Sequence, residues 1–468
     1  MSGRRGLPRA PLSDSGALAG ATLSEREARQ LLAEALSMSE AEHAEALLQS
    51  RTESLTRFAN NEIHQNVTAR NHTLTLRVII GRRSGRATTN RLDPSAVRQL
   101  ADRAIMLARL SPEDPDLPEP GEPAEYRSLE AFVPATAAST PEQRAEAVGP
   151  VVRAAVARQL NAAGAHTAAA AALAYANTRG RFAYHTETYA NFTCTVRSDT
   201  SSGWVDRHRR DVSQLDTERL GAIAIDKAER SRRPGAIESG RTTVVLEPSA
   251  VAGLLVFLAH LGLGAQSEQE GRSFMSGRMG QAITGERVVV VDDPCDPHAF
   301  GGPFDYEGTP RQRVTLIENG IARAVVHDRR TARKAGVAST GHAAPPPAVE
   351  GPLPFSLVMA GGERSLEEMI ASTERGVLVT RFWYNRVVDA RKTLITGMTR
   401  DGTFLIENGR LAGALQNLRF NESVLEVLAR AEAFGRDAEP TVFDYSGGCV
   451  VAPALKVRDF RFTGVSPS

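Results

Sequence analysis

Several features are scarce in this sequence, and each scarcity excludes a class of protein. Only three cysteines occur, Cys194, Cys295 and Cys449, with no paired spacing, which argues against a disulfide scaffold and suits a reducing cytoplasm. The net charge is only +1, so the chain has no overall field that would attract nucleic acid or an acidic membrane. We therefore expect a cytoplasmic protein with neither nucleic acid nor membrane as a partner.

Long apolar segments are also missing. The longest, around residues 251–263, is too short and too interrupted to span a bilayer. The start, MSGRRGLPRAPLSDSG, has arginines but no apolar core, so no signal peptide is expected. Residues 1–22 are rich in Gly, Pro, Ser and Ala, and we predict that they form a disordered tail.

The common catalytic signatures are absent as well. The sequence contains no G-x-S-x-G nucleophile elbow, no H-E-x-x-H zinc helix and no Rossmann glycine pattern. The basic segment GRRSGRATTN at 81–90 lacks the spacing and the lysine of a phosphate-binding loop, so a hairpin end is the better interpretation. No catalytic residue can therefore be assigned from a motif alone.

What the sequence has is the length and composition of a globular protein. Its 468 residues, 41% hydrophobic and 24% charged, suffice for two or three domains with substantial cores. Residues 112–125, rich in proline and acidic side chains, are predicted to be a linker inside the first domain. The segment 232–235 (Arg-Arg-Pro-Gly) marks the predicted boundary, so the tail is followed by an N-terminal domain, 23–235, and a C-terminal domain, 236–468.

Hydrophobic periodicity indicates a mixture of helices and strands. In the first domain helices are predicted from Ser24, at 94–110 and at 141–163, with strands at 54–58, 74–80, 167–177 and 183–197. The charged stretch 206–233, which includes a helix at 215–231, looks like a solvated face. We predict an α+β protein whose N-terminal domain resembles an α/β sandwich.

The second domain is predicted to contain a large, mainly antiparallel sheet with helices. Two segments echo each other, TLIENGI at 315–321 and FLIENGR at 404–410, and the Asn-Gly pair in each favours a tight hairpin. Between them Ser365 and Glu368 form a capping box for a helix that Gly376 is predicted to end. A further helix is predicted at 423–433 and a last strand at 455–462.

One stretch, Leu254 to Gln281, joins an apolar helix to a loop rich in glycine and charge. The order of apolar helix, glycine loop, SGRMGQ, strand and Asp-Asp resembles the core of the TldD/PmbA family, known as zinc peptidases and their inactivated homologues. RxSGxATTNxLD near the start and SLEEMIASTERGVLV followed by FLIENG in the second half support this resemblance, which covers residues 50–465.

In the active branch of that family, the helix carries His-Glu-x-x-x-His, whose two imidazoles bind zinc and whose glutamate polarises the bound water. Counting back from Ser276-Gly277-Arg278, these three positions fall on Val256, Phe257 and Leu261. None of these side chains can bind zinc. The resemblance therefore points to the branch that lacks the zinc motif, and we expect no metal or other cofactor in this chain.

The resemblance further implies that the chain pairs with a paralogue bearing an intact His-Glu-x-x-x-His. The dimer would process extended, unstructured peptides. This chain would supply part of the cavity wall, residues that hold the substrate and the surface that contacts the partner. Two alternatives remain open: an active hydrolase with a rearranged site, and a homodimeric peptide-binding protein without protease activity.

Candidates for chemistry in a rearranged site are His260, inside the apolar helix, and Cys449, which aligns with a cysteine used near the metal in active members. A hydrogen-bonded core histidine and a buried free thiol are the simpler interpretations. Cys295 and His298 form a C-x-x-H pair beside Asp292, Asp293 and Asp296, for which a proline-containing loop turn is the better interpretation. Further polar residues that could line a cleft are Tyr306, Glu307, His327 and His342.

Overall fold

The computed structural model describes residues 22–443 and 448–466. The predicted disordered tail, 1–22, lies outside this range except for Thr22. No helix in the described part of the chain is long and apolar enough to cross a membrane. Two sheets, of six and eleven strands, form the framework, and α-helices accompany both. The predicted α+β class is confirmed.

The first sheet is built from the segment 43–209, in the strand order β3-β2-β1-β4-β5-β6. All its pairs are antiparallel. Its elements and the helices around it are α1 (Glu25–Ser37), β1 (His43–Ala59), β2 (Glu62–Ile80), β3 (Arg83–Thr89), α2 (Pro94–Leu110), α3 (Pro134–Ala137), α4 (Pro141–Ala157), β4 (Asn161–Asn177), β5 (Phe182–Arg197), β6 (Ser202–Arg209) and α5 (Thr217–Arg230).

Local signals at helix ends account for several boundaries. Ser24 accepts a hydrogen bond from the backbone of Glu27, whose carboxylate in turn accepts from the backbone of Ser24, so that α1 begins with a complete capping box. Asp93 caps α2, and Pro94 occupies its first turn, where a missing N–H costs nothing. The segment 81–90 begins with the β2–β3 turn, where Gly81 has φ +57°, and continues as the strand β3, so only its start is the predicted hairpin end.

The second sheet has the order β10-β9-β8-β11-β17-β15-β13-β12-β7, with β14 beside β13 and β16 beside β17. Since β17 also pairs with β7, the strands β17, β15, β13, β12 and β7 close into a ring. Its elements are β7 (Gly240–Leu246), α6 (Pro248–Gly262), α7 (Ala265–Gln269), β8 (Val290–Asp292), β9 (Val314–Glu318), β10 (Ile321–Ala322), α8 (Arg329–Ala335), β11 (Ser356–Met359), α9 (Leu366–Ala371), β12 (Arg375–Asp389), β13 (Leu394–Glu407), β14 (Arg410–Ala414), β15 (Leu418–Ser423), α10 (Val424–Ala429), β16 (Ala431–Phe443) and β17 (Gly448–Val465).

β7 pairs in parallel with β12, and β11 pairs in parallel with β17, whereas the other named pairs are antiparallel. The prediction of a large, mainly antiparallel sheet is therefore confirmed. Both echo segments form the predicted hairpins: Asn319 and Gly320 have φ of 51° and 75°, and Asn408 and Gly409 have φ of 50° and 73°. Asparagine and glycine tolerate these left-handed angles better than other residues.

α6 lies at the centre of the second domain. Ten of its residues are buried on several sides, including Leu254, Leu255 and Leu258, and it packs against β12 and β17. A helix that is apolar all round is a buried helix rather than a surface one. Leu254, Leu255 and Leu258 of the apolar run are therefore core residues, whereas Phe257 and Leu261 are only partly buried.

Several predicted boundaries are wrong. The strands predicted to begin at 54, 74 and 455 begin at His43, Glu62 and Gly448. α4 ends at Ala157 rather than at residue 163, because the alanines from 162 pair with β5 as part of β4. α9 ends at Ala371, and Gly376 lies inside β12, where a Cβ would come 2.7 Å from the carbonyl oxygen of Thr243. α10 ends at Ala429 because Ala431 begins β16. Residues 206–209 of the charged stretch belong to β6 and not to a solvated face.

The segment 112–125 contains no helix or strand, as predicted for the linker. The domain boundary at 235 stays a prediction, and it falls between α5 and β7.

Candidate functional site

A cleft of about 1630 Å³ lies between the two sheets. Its floor is one face of the first sheet, to which β5 contributes every second side chain from 185 to 193 and β6 contributes Trp204, Asp206 and His208. The opposite wall comes from the second domain: α6, the loop 300–306, β12 and the segments 441–443 and 448–449. A concave, largely preformed cavity between domains is the usual place for a ligand.

Aromatic side chains are concentrated in this cleft. Both tryptophans of the chain, three of its seven tyrosines and six of its 16 phenylalanines line it. The guanidinium of Arg381 lies between the two tryptophans, 4.2 Å from the ring centroid of Trp204 and 4.9 Å from that of Trp383. The cleft therefore offers large apolar surfaces edged by cations, which suits the side chains and backbone of a peptide.

Polar groups on the floor are paired with each other. Asp206 accepts a hydrogen bond at 2.8 Å from His208 and another at 2.8 Å from Asn191. Burial would raise the pKa of Asp206, but His208 and Asn191 outweigh this and lower it. Such a paired carboxylate is a fixed acceptor rather than a proton donor at neutral pH.

Of the three positions aligned with the zinc motif, α6 brings only Phe257 to the cleft. Phe257 lines the cleft together with Ser249 and Gly253, one helical turn apart. Val256 is buried and borders a separate void of about 10 Å³. Leu261 is partly buried against the core. The resemblance assigns metal donors to these three positions, and all three carry hydrocarbon side chains.

His260 and Cys449 border the same small void as Val256, so the structure brings the two sequence candidates together. The void holds at most about one water molecule. Burial raises the pKa of the Cys449 thiol to about 12, and burial lowers the pKa of His260. A thiol with so high a pKa is not a nucleophile at neutral pH, since the thiolate is the reactive form.

The loop 292–298 is a turn, and its polar side chains serve that turn. Asp293 accepts from the backbone N–H of Cys295, and Asp296 accepts from the backbone N–H of His298, both at 2.9 Å. Cys295 is exposed. The interpretation as a loop turn, rather than as a C-x-x-H metal site, agrees with this geometry.

Asp292 has a different role from its neighbours in that loop. It is fully buried and accepts hydrogen bonds from Arg311 at 2.7 Å, from His342 at 2.9 Å and from the backbone of Ser356 at 2.7 Å. Burial would raise its pKa, but Arg311 and His342 lower it to about 2. His342 is therefore an interior hydrogen-bond partner and does not line a cleft, while Arg311 reaches the cleft wall.

A second cleft, of about 1390 Å³, lies beside the first, and Tyr306 lines both. Glu307 and His327 line the second one. Behind it, Arg329 bridges the domains: its Nε donates to Glu307 at 3.0 Å, and its Nη2 donates to Glu45 on β1. Arg77 also donates to Glu45, at 2.9 Å.

These ion pairs keep a buried acid ionised between the sheets. Burial would raise the pKa of Glu45, but Arg329 and Arg77 lower it to about 2. The network joins the domains and shows no arrangement for catalysis.

The sequence analysis missed the residues that define the main cleft. Trp204, Trp383 and Tyr384 were not singled out, nor was the pair formed by Asp206 and His208. The one available sequence signal was that tryptophan is rare in this chain. The structure places both tryptophans in the cleft. Arg311 had no sequence signal at all, since its partner Asp292 belongs to another segment.

The donors of the described chain do not fit a catalytic zinc ion. Among residues 22–443 and 448–466, no group of three or more His, Cys, Asp or Glu side chains converges on one point. Zinc needs at least three such donors in a catalytic site. Valine, phenylalanine and leucine offer no lone pair at the positions that the resemblance assigns to it.

Comparison with known proteins identifies the same family. Residues 239–464 match the profile described as the PmbA/TldA metallopeptidase C-terminal domain, and residues 44–108 match the profile of PmbA/TldA metallopeptidase domain 1. The two matched regions together cover more than half of the chain.

Two curated relatives come from archaea. An uncharacterized protein of Methanocaldococcus jannaschii is 30% identical over 168 residues, which are 36% of this chain and 40% of that protein. A metalloprotease of Methanothermobacter thermautotrophicus is 27% identical over 234 residues, which are 48% of this chain and 50% of that protein. The matched region thus spans about half the length of these relatives.

The similarity in fold extends over nearly the whole chain. The crystal structure of TldE from Thermococcus kodakarensis superposes with a TM-score of 0.84 at 21% identity, covering 93% of this chain and 99% of that one.

Proposed function

The chain belongs to the PmbA/TldA metallopeptidase family, the TldD/PmbA family of the sequence comparison, and from this premise we propose that it is a subunit without a zinc site of its own. It holds an extended, unstructured peptide in the main cleft. Cleavage is performed by a partner subunit that carries the intact His-Glu-x-x-x-His, with which this chain forms a dimer.

One observation carries the proposal. α6 directs Phe257 into the cleft wall at the position of the polarising glutamate and leaves Val256 and Leu261 at the positions of the two histidines. The resemblance assigns metal donors to these positions, where this chain has apolar side chains, and this supports a subunit without its own zinc. A concave cavity with aromatic walls supports the binding of a ligand there.

A hydrolase with a rearranged site is the second candidate, because His260 and Cys449 border one void. The high pKa of the Cys449 thiol counts against it. A homodimeric peptide-binding protein is the third candidate, and it uses the same cleft. Peptide cleavage by the purified chain, lost in Cys449→Ala or His260→Ala, would establish the second candidate in place of our proposal.

Metal analysis of the purified chain tests the proposal directly. We expect no stoichiometric zinc after dialysis against a weak chelator and no cleavage of unstructured peptides. As a positive control, the triple variant Val256→His, Phe257→Glu, Leu261→His restores the motif spacing beside Cys449, which borders the same void as Val256 and would be the third donor, and this variant is expected to retain zinc. One tightly held zinc per wild-type chain would overturn the proposal.

The partner is tested by co-expression with a paralogue that bears His-Glu-x-x-x-His. We expect the two chains to purify together and to degrade an unstructured peptide. Exclusive purification of this chain as a homodimer, without cleavage in the mixture, would favour the third candidate.

A further inference from the structure

The second cleft contains an arginine without a counter-ion. Arg86 on β3 lines this cleft of about 1390 Å³, and its side chain is exposed there. Within residues 22–443 and 448–466, no carboxylate lies within 4.0 Å of its guanidinium, and its side chain donates no hydrogen bond. The five N–H donors of this guanidinium are therefore available to a bound group.

The neighbouring cation is already neutralised. Arg77 lies directly opposite Arg86 on β2 and lines the same cleft. Arg77 pairs with Glu45 at 2.9 Å, and Arg329 pairs with both Glu45 and Glu307. These two cations and two carboxylates balance each other, so Arg86 is an additional positive charge beside them. Like charges directly opposite each other on neighbouring strands are destabilising, and a bound anion would offset that cost.

The surroundings of Arg86 favour an anion rather than loss of its proton. Burial and then the charge of Arg77 lower the pKa of Arg86, and both effects disfavour its charged form. Arginine nevertheless stays charged in proteins, so a bound anion is what can compensate the charge. A carboxylate suits the planar guanidinium, because the two groups can form two parallel hydrogen bonds.

The rest of the lining disfavours a ligand that carries only negative charge. Four carboxylates line the same cleft, those of Glu268, Glu270, Glu307 and Asp328. They repel a polyanion such as a polyphosphate or a nucleic acid. Glu268, on α7, has no cation within 4.0 Å in the part of the chain that the structure describes, so an ammonium group can pair with it. A ligand with one carboxylate and one ammonium group therefore matches the charges of the cleft.

We propose that the second cleft binds a short peptide with free termini, whose carboxylate pairs with Arg86 and whose ammonium group pairs with Glu268. This inference rests on the proposed function, because the ligand is then a fragment released by cleavage. Tyr306 lines both clefts, so the second cleft lies beside the one that holds the substrate. A cavity of 1390 Å³ is about 11 Å across if it is equally wide in all directions, and three extended residues span about 10 Å. A tripeptide therefore fits.

Changes at the two ends of a tripeptide test which groups are recognised. Calorimetric titration of the full chain uses Ala-Ala-Ala, its C-terminal amide, its N-acetyl form and inorganic phosphate as probes. The parent tripeptide is expected to bind at least about tenfold more tightly than the amide and at least about threefold more tightly than the N-acetyl form, because each change removes one charged pair. Equal affinity for the parent and the amide overturns the inference, and equal affinity for the N-acetyl form overturns the role of Glu268. Displacement of the tripeptide by an equal concentration of phosphate overturns the peptide as the ligand.

Arg86→Gln tests the location of the site. Its affinity for the tripeptide is expected to fall at least about tenfold, while its affinity for the amide stays unchanged. The urea midpoint of the ligand-free variant is expected to rise, because the repulsion from Arg77 is removed. A lower midpoint together with lost binding would assign Arg86 a structural role and overturn the inference. The matched control is Arg83→Gln on the same strand, outside the cleft and 3.6 Å from Glu113, which should bind the tripeptide like wild type.

The outcomes separate this inference from the proposed function. If the tripeptide does not bind but longer unstructured peptides do, the site in the second cleft is overturned and the proposed function is not. Tripeptide binding that Arg86→Gln leaves unchanged places the ligand elsewhere and has the same consequence. If neither the tripeptide nor the longer peptides bind, both proposals are overturned.

Discussion

The guanidinium of Arg381 on β12 lies 4.2 Å from the ring centroid of Trp204 on β6, so a residue of the second sheet is held against a residue of the first. Asp401 fixes the same guanidinium from the other side, accepting from its Nε at 2.9 Å. This contact joins the two sheets across the cleft, as does the ion pair between Arg209 and Glu439.

Arg381→Lys is expected to lower the free energy of unfolding by about 1–2 kcal/mol, because an ammonium keeps the charge but loses the planar stacking. Tryptophan emission should shift to longer wavelength as the rings become more exposed to water. Urea titration and emission spectra measure both effects. The control is Arg400→Lys, whose guanidinium is half exposed and lies 5.3 Å from Trp383 alone; equal effects of the two variants would contradict the role given to Arg381.

Arg329→Met is expected to destabilise the protein by about 3–5 kcal/mol, because it removes the closer of the two cations that pair with the buried Glu45 and Glu307 and leaves only Arg77. Thermal and urea unfolding measure the change. The neighbouring variant Arg330→Met is the matched control, since Arg330 pairs with Asp114 at the surface and such pairs contribute about 1 kcal/mol or less. A loss below about 1 kcal/mol in Arg329→Met would show that the bridge does not hold the domains together.

The buried His166 gives a pH dependence with a defined sign. Burial and then the charge of Arg144 lower its pKa from 6.5 to about 4, so the folded protein binds this proton less readily than the unfolded chain. The contribution of the neutral His166 imidazole to the free energy of unfolding is complete above pH 6.5 and is lost as the pH falls towards 4. Between pH 7 and pH 5 the loss amounts to roughly 2 kcal/mol.

His166→Leu should remove that part of the pH dependence, so the variant gains roughly 2 kcal/mol relative to wild type between pH 7 and pH 5. Urea unfolding at both pH values gives the difference. His64→Leu, at an exposed position on β2, should follow the wild-type curve. Parallel curves for wild type and His166→Leu would contradict the assignment.

The three thiols should differ sharply in reactivity. Cys295 is exposed, whereas Cys194 and Cys449 are buried, and burial raises the pKa of both to about 12. A thiol reagent at pH 8 is therefore expected to modify one cysteine per native chain and three in urea. Cys295→Ser should abolish the rapid reaction. Rapid modification of Cys449 in the native chain would revive the hydrolase candidate.

Sequence signals that act within a few residues predicted the structure well. The helix at 94–110 begins and ends as predicted because Asp93 and the Ser111-Pro112 pair lie next to its ends. The Asn-Gly hairpins were predicted because two adjacent residues determine the turn. The end of α4 was wrong because alanine favours a helix locally, while pairing with β5 places the alanines from 162 in a strand.

The candidate site was only partly predictable, because most of it is built from distant segments. The resemblance placed Val256, Phe257 and Leu261 on the helix that borders the cleft. It gave no sign that seven consecutive residues of β12, 381–387, line the cleft. Nor could any local pattern pair Asp292 with His342, which lie 50 residues apart.

The bridge from Glu45 to Arg329 spans 284 positions, and this separation has a consequence for synthesis. The strand that carries Glu45 leaves the ribosome long before Arg329 is translated. Until then, Arg77 is the cation that can pair with Glu45. The first sheet therefore lacks one of its two buried ion-pair partners until Arg329 has been synthesised and has folded against it. Separate fragments that contain only one of these two residues should therefore be less stable than the same segments in the intact chain.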